Sequence, residues 1–178
     1  MTSTSAIFRL LLDALAPIAG KHGARLTVST DRAAALSALF DSPAGCVAIL
    51  VPGAQGIEDA DGPVAVLREN VSLIVGHRLP PTAAPAEGLY ASVAGAVPFF
   101  DALDELRAGV LAAPLPEGAG TGFWQFDGRD PLSVEGVPLP AYELRFHTIL
   151  AGEGVAIDPD PLAPPPFPGD LPPPPFPQ

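Results

Sequence analysis

The chain has 178 residues, nearly half of them apolar, which is enough for one folded domain of ordinary size. Its 20 aspartates and glutamates outweigh 9 lysines and arginines, and the net charge of -11 argues against direct binding of nucleic acid or an anionic membrane. The single cysteine, Cys46, excludes an internal disulfide and a multi-cysteine metal site, and it fits a reducing compartment.

The amino-terminal segment has apolar residues at helical spacing, which predict a helix over about 5–19. Arg9 and Asp13 interrupt its apolar stretch and no basic region precedes it, so a signal peptide is not expected. The uncharged run GLYASVAGAVPFF is too short to span a bilayer, and no membrane partner is expected.

The segments that follow are predicted to be a strand, a short helix, a strand buried on both faces and a polar, glycine-rich loop, at 24–29, 32–40, 46–51 and 53–62. Thr30 or Asp31 is expected to cap the short helix. The stretch 63–78 predicts either one long strand or two strands joined around Glu69-Asn70.

The clearest helix lies at 97–112, with Pro98 in its first turn. Its buried stripe is expected to consist of Phe99, Leu103, Leu106 and Val110. Two strands follow at 123–128 and 140–150, and a short strand at 132–135 is an option. This element order predicts an α+β domain over 1–151, with a mostly antiparallel sheet flanked by helices.

Residues 152–178 differ in composition from the rest. Eleven of the 24 prolines lie in the last 20 residues, so this segment is predicted to be a polyproline II extension rather than part of a core. PPPFP occurs twice, and three residues per turn place Phe167 and Phe176 on the same side, roughly 28 Å apart. The tail is either a solvated spacer or an arm whose two phenylalanines anchor a neighbouring subunit or partner.

The usual motifs of catalysis and of cofactor binding are missing from the sequence. GAGTG follows a helix and precedes a strand, the reverse of a dinucleotide-binding turn, and neither a phosphate loop nor a GxSxG nucleophile elbow is present. GIEDADG lacks the spacing of a calcium loop and is interpreted as a solvated loop. The three histidines, His22, His77 and His147, show no metal-binding pair spacing. We therefore expect no catalytic residue, metal or cofactor.

The stretch AYELRFHTIL, 141–150, alternates apolar and polar residues, as a half-buried strand does. Glu143, Arg145 and His147 share one face, but four residues of strand place the first and last about 13 Å apart, too far for a proton-transfer dyad. Arg68 or Arg78 remains open as a cross-strand partner. The face is a solvated surface, a subunit contact or the wall of a lumen.

Several segments together resemble the phage tail terminator proteins of contractile-tailed phages and related prophage particles. CVAILVPGAQG resembles the apolar strand of that family with its glycine-containing turn, and RENVSLIVGHR resembles the strand after it, which ends in a basic residue. GLYASVAGAVPFFDALDELRAGVLA and PLSVEGVPLPAYELRFHT resemble the leucine-rich helix and the closing strand. The resemblance spans about 5–150, and the proline-rich tail departs from it.

The resemblance implies a structural protein without catalytic residues, which forms a homohexameric ring at the head-proximal end of the tail tube. Its partners would be further copies of itself, the tail tube protein, the neck or head-completion proteins and a sheath where one exists. DNA would pass through the lumen without specific binding. The protein would be made in the host cytoplasm and reside in the virion. Glu143, Arg145, His147 and Arg78 would then form a subunit contact or line the lumen.

Three other functions stay open at the level of the sequence. The chain is another neck or tail-completion component, a cytosolic enzyme or small-ligand protein with an unrecognised site, or an adaptor whose PPPFP segments recruit an aromatic-lined domain.

Overall fold

The computed structural model describes residues 4–41, 45–59, 66–77, 98–117, 122–132 and 140–151. Within these ranges the chain forms three helices, α1 (Thr4–Lys21), α2 (Arg32–Asp41) and α3 (Phe99–Ala112). Six strands accompany them: β1 (Ala24–Val28), β2 (Cys46–Pro52), β3 (Gly56–Asp59), β4 (Val66–His77), β5 (Gln125–Pro131) and β6 (Ala141–Ala151).

The strands form one mixed sheet in the order β1-β2-β4-β6-β5, and β3 pairs with β4 outside this row. β1 and β2 are parallel, whereas the other pairs are antiparallel. The architecture is therefore α+β with a mostly antiparallel sheet, which confirms the predicted fold class.

One face of the sheet packs against α1 and α3, which run antiparallel to each other. The predicted stripe of α3 is buried here, together with Leu11 and Leu15 of α1 and the inward-facing residues of the three central strands. Gly109 permits a close helix contact, because a Cβ atom at this position would lie 2.4 Å from Ile18 Cδ1. We call this side the helix-packed face.

Among the described residues, α2 packs against part of the opposite face. Asp31 Oδ1 accepts a hydrogen bond from the backbone N–H of Ala34 at 2.8 Å, so Asp31 is the cap of this helix. A second apolar cluster consists of Ala35, Leu39, Val47, Ile49, Val51, Ile74 and Ala141. β2 contributes buried residues to both faces, as its continuous apolar run predicts.

Several boundaries differ from the predictions. Residues 56–59 form β3 instead of a loop, because β4 extends beyond the end of β2 and its backbone groups need partners there. Glu69 lies inside one continuous strand, so β4 is not two strands.

Pro98 is the N-cap residue of α3 rather than part of its first turn. The strand predicted at 123–128 begins at Gln125 and ends at Pro131. The strand option at 133–135 and the tail 152–178 lie outside the described residues.

Candidate functional site

The alternation of β6 places its side chains on two different surfaces. Leu144 and Phe146 are buried in the core of the helix-packed face, and Tyr142 packs at its margin. Glu143, Arg145 and His147 lie on the opposite face, where they are paired in register with Ile74, Ser72 and Asn70 of β4. Arg78 lies outside the described residues.

Beyond the area that α2 covers, this second face carries polar side chains from three neighbouring strands. We call it the polar sheet face, and its members are Arg68, Asn70, Ser72, Gln125, Asp127, Asp130, Arg145 and His147. Glu143 lies at its border, where its carboxylate accepts a hydrogen bond from Arg32 Nε of α2 at 2.9 Å. Glu143 therefore connects the polar sheet face to the helix.

The carboxylate of Asp127 holds two cationic or potentially cationic groups of the polar sheet face. His147 Nδ1 lies 2.7 Å from Asp127 Oδ1, and an Arg68 guanidinium nitrogen lies 3.3 Å from Asp127 Oδ2. Arg68 Nε also donates to Asn70 Oδ1 at 3.1 Å. These contacts connect β5, β6 and β4 through side chains as well as through the backbone ladder.

A β-bulge gives Asp127 this position. The register of β5 against β6 shifts between Phe126 and Gly128, so that an extra residue is inserted opposite Arg145. Gly128 has φ 152°, a backbone conformation that glycine adopts without a Cβ penalty. The bulge therefore directs Asp127 towards His147 while Phe126 stays packed against the core.

Arg145 and Asp130 form a separate ion pair at 2.8 Å. Their side chains are 52% and 53% exposed, so the contact is screened by water and contributes little to stability. Glu143, Arg145 and His147 thus have different partners, in agreement with the geometric argument against a Glu143–His147 dyad. Of the two cross-strand partners considered, Arg68 joins His147 through Asp127.

Asp127 and Asp130 were not identified from the sequence. The stretch FWQFDGRDP places two carboxylates around a glycine, which is a signal for a bulge. Periodicity alone gives neither the strand pairing nor the register, so it could not match Asp127 with His147 or Asp130 with Arg145.

The polar sheet face combines positive and negative side chains of the described residues. Positive and negative groups alternate across it and are largely paired with one another, so it offers a fixed pattern of donors and acceptors to a complementary surface. Two surface grooves, of about 280 and 310 Å³, have other residues in their described lining. The His147–Asp127 pair therefore lies outside the described lining of both grooves, and the His147 side chain is only 11% exposed.

Cys46 and His77 lie directly opposite each other on β2 and β4, and both are buried. Burial raises the pKa of the Cys46 thiol to about 11 and lowers the pKa of the His77 imidazole. At neutral pH the pair is a neutral thiol beside a neutral imidazole, unlike the thiolate–imidazolium pair of a nucleophilic cysteine. Among the described residues, no group of three or more His, Cys, Asp or Glu side chains is placed to hold a metal ion.

No family model matches the chain, and no curated protein matches it. Solved structures that are similar in part include the following two. One is a chain of the virion of a native gene transfer agent particle, with 17% identity, a TM-score of 0.46, and coverage of 85% of this chain and 96% of that one. The other is a histidine kinase from Burkholderia phymatum, with 18% identity, a TM-score of 0.29, and coverage of 85% and 70%.

Both TM-scores are below 0.5, and both identities are below 20%, so these likenesses carry no argument about function. In the part of the chain that the structure describes, no helix combines the length and apolar character needed to cross a membrane.

Proposed function

We propose that the chain is a structural virion protein, a tail terminator that forms a ring at the head-proximal end of the tail tube. It stops polymerisation of the tube and joins the tail to the neck. The resemblance of residues 5–150 to the tail terminator proteins suggests this role. The observation that supports it best is the polar sheet face, where three neighbouring strands carry paired charges of both signs that suit a partner surface.

A ring places two different surfaces of each subunit against each other, and the two must be complementary. In a ring of six copies, the polar sheet face is either one of these contact surfaces or part of the lumen wall. Its further partners are the tail tube protein, the neck or head-completion proteins and a sheath where one exists. The net charge of -11 suits a lumen through which DNA passes without binding.

Assembly and tube capping test this proposal. Light scattering of the purified protein should give the mass of a ring, and electron micrographs should show rings with a central opening. Added to the tube protein of the same particle while it polymerises, the chain should shorten the tubes and be found at one end of each. An unrelated acidic protein of equal concentration is the control. A strict monomer without effect on tube length would contradict the proposal.

Two other functions are separated by further measurements. Another neck or tail-completion protein would occupy a different position in the particle, which labelling of the chain in intact virions reveals. A cytosolic small-ligand protein or enzyme is favoured only by the His147–Asp127 contact, because a carboxylate orients a catalytic imidazole in the same way. In that case, alanine at Glu143, Arg145 and His147 would abolish an activity and leave assembly intact.

A further inference from the structure

An apolar groove of about 310 Å³ lies beside the edge strand β1, where the ends of β1 and β2 meet the beginning of α1. Its described lining residues are Thr4, Ser5, Phe8, Val28, Ser29, Thr30 and Pro52. None of these residues carries a charge. Val28, one of the lining residues, is 43% exposed. The groove has the size and apolar character of a site for one aromatic side chain.

The chemistry of the lining fits a proline-rich segment. Phe8, Val28 and Pro52 supply apolar surface, and four hydroxyl-bearing residues surround it. Thr4 Oγ1 accepts a hydrogen bond from Gln55 Nε2 at 3.1 Å, so its own hydroxyl proton can be donated to a ligand. The hydroxyls of Ser29 and Thr30 donate to Asp31, so the donor for a ligand is the Thr4 hydroxyl. Proline residues offer carbonyl acceptors and no backbone N–H donors, which makes an apolar groove with such a donor complementary to them.

The chain itself contains such a segment, twice. PLAPPPFPG (161–169) and LPPPPFPQ (171–178) are uncharged, and each presents one phenylalanine between prolines. We propose that the groove beside β1 binds the PPPFP segment of a second copy of this chain, with the Phe167 ring inserted between Phe8, Val28 and Pro52. Phe176 then serves as a second, equivalent ligand on the same tail.

The reach of the tail extends beyond the groove of its own chain. Pro52 is opposite Val71, and Val71 is opposite Phe146, so two strand spacings, roughly 10 Å, separate Pro52 from Phe146. Ala151 lies five residues further along β6, roughly 17 Å. The end of β6 is therefore about 20 Å from the groove of its own chain.

Phe167 follows Ala151 by 16 residues, which corresponds to about 50 Å in polyproline II geometry. This is more than twice the distance to the chain's own groove. A domain of about 150 residues has a radius of gyration of about 15 Å, so packed neighbours have centres about 40 Å apart. The extended tail is long enough to reach a neighbouring subunit, and the contact deepens the proposed ring function, on which it rests for the choice of a neighbour over the chain's own groove.

Disulfide trapping in the full chain tests the contact directly. One preparation carries Thr30→Cys at the rim of the groove, and a second carries Gly169→Cys, two residues after Phe167. Mixed and oxidised, they should form an interchain disulfide about tenfold faster than a control pair in which Leu111→Cys replaces Thr30→Cys. Leu111 lies on α3, outside the groove lining, and is 40% exposed. Cys46 is buried in every variant.

The dependence on phenylalanine gives a second measurement. Phe167→Ala together with Phe176→Ala, in the Gly169→Cys chain, should reduce the cross-linking rate to that of the Leu111→Cys control. Loss of these two rings leaves the folded domain of residues 1–151 unaltered, so circular dichroism and the melting temperature should not change. Cross-linking that persists at the full rate without either ring would overturn the assigned role of Phe167.

The remaining outcomes separate this contact from the ring itself. Thr30→Cys and Gly169→Cys can also be combined in one chain. If this chain forms only an intrachain disulfide, the groove binds its own tail. Assembly by light scattering without cross-linking above the control would reject the tail contact and leave the ring in place. A monomer without cross-linking at any concentration would reject both.

Discussion

Glu69 is a buried carboxylate of β4 on the helix-packed face, and only 1% of its surface is exposed. Gln55 Nε2 donates a hydrogen bond to it, and the same amide nitrogen also contacts Thr4 at the beginning of α1. Desolvation raises the pKa of Glu69, and the hydrogen bond from Gln55 opposes this effect only in part. The carboxylate therefore binds its proton more tightly in the folded chain than in the unfolded chain.

This difference in pKa predicts how stability depends on pH at Glu69. Because the folded state binds more protons, the free energy of unfolding falls as pH rises from the ordinary glutamate pKa through the raised pKa of the folded state. Glu69→Gln removes the ionisation. We expect the stability of this variant relative to the unmodified chain to be higher at about pH 7 than at about pH 4. Urea titrations at the two pH values measure this difference.

Glu105 serves as a control, because the pKa of its carboxylate is shifted in the opposite direction. Hydrogen bonds from Lys21, and secondly from His22, lower the pKa of this carboxylate. Its stabilising contribution is present above the ordinary glutamate pKa and is lost as pH falls through the lowered one. The stability of the Glu105→Gln variant relative to the unmodified chain should therefore be lower near pH 7 than near pH 4. Equal pH dependence of the two variants would contradict the assignment of Glu69 as the destabilising carboxylate.

At the scale of elements, the contact between α1 and α3 depends on Gly109. A Cβ atom there would lie 2.4 Å from Ile18 Cδ1 and 2.9 Å from Leu15 Cδ2, so the ends of these side chains would have to move within the packed contact, or the two helices would have to separate. Alanine normally stabilises a helix interior by about 1 kcal/mol relative to glycine. We expect Gly109→Ala to destabilise the chain by about 1–3 kcal/mol, because overpacking exceeds the gain in helix propensity.

Gly20 offers a matched control within α1. It lies in the last turn of the helix, and a Cβ atom at this position would meet nothing within 4 Å. Gly20→Ala should therefore be neutral or stabilise the chain by up to about 1 kcal/mol. Thermal unfolding of both variants compares them under the same conditions. A Gly109→Ala variant that is as stable as Gly20→Ala would show that α1 and α3 can separate without cost.

The elements that the sequence predicts well are those with a strong apolar pattern. α1, β2 and α3 each carry enough periodic or continuous apolar residues that local sequence and burial agree. β3 has the sequence GIED and no such pattern. Its existence depends on the backbone of β4, which extends past β2 and pairs with it, and this long-range cause is absent from the local sequence.

The polar sheet face was predictable to a similar extent. Alternation along β6 places Glu143, Arg145 and His147 on one face, and the structure has them there. Their partners depend on register, and the bulge before Gly128 sets the register of β5. The sequence therefore predicts which side chains share a surface, whereas the ion pairs that organise that surface follow from the folded sheet.

At the scale of the whole molecule, the two sides of the sheet differ in what they can contact. Among the described residues, α1 and α3 pack on the helix-packed face, and α2 packs on the apolar part of the other face, beside the charged groups of β4, β5 and β6. The ion pairs of that charged area hold side chains of both signs next to each other before any partner arrives. Fixed charges contribute to the specificity and orientation of an association more than to its strength. A subunit contact on this face would therefore depend on the arrangement of the charges, whereas a lumen wall would not.

Exchanging the two charges of one ion pair separates these two roles of the polar sheet face. In the double variant Arg145→Asp with Asp130→Arg, opposite charges still lie side by side, and the net charge is unchanged. Because the original pair is half-exposed, the free energy of unfolding should change by less than about 0.5 kcal/mol. A neighbouring subunit, however, would meet the inverted pattern. If this face is a subunit contact, we expect ring assembly to weaken about tenfold or more, and the loss to diminish at high salt.

The i,i+3 pair of Asp104 and Arg107 on α3 provides an exchange for comparison, since its side chains are 59% and 43% exposed and lie on a helix that packs against the other side of the sheet. The Arg107 guanidinium also lies 5.5 Å from the centre of the Phe126 ring, so this exchange is compared for assembly and not for stability. Asp104→Arg with Arg107→Asp should leave assembly unchanged. Analytical ultracentrifugation of both variants over a range of concentrations and salt measures the effect. Equal assembly of the two variants and the unmodified chain would exclude the polar sheet face as a subunit contact and leave the lumen wall as its position in a ring.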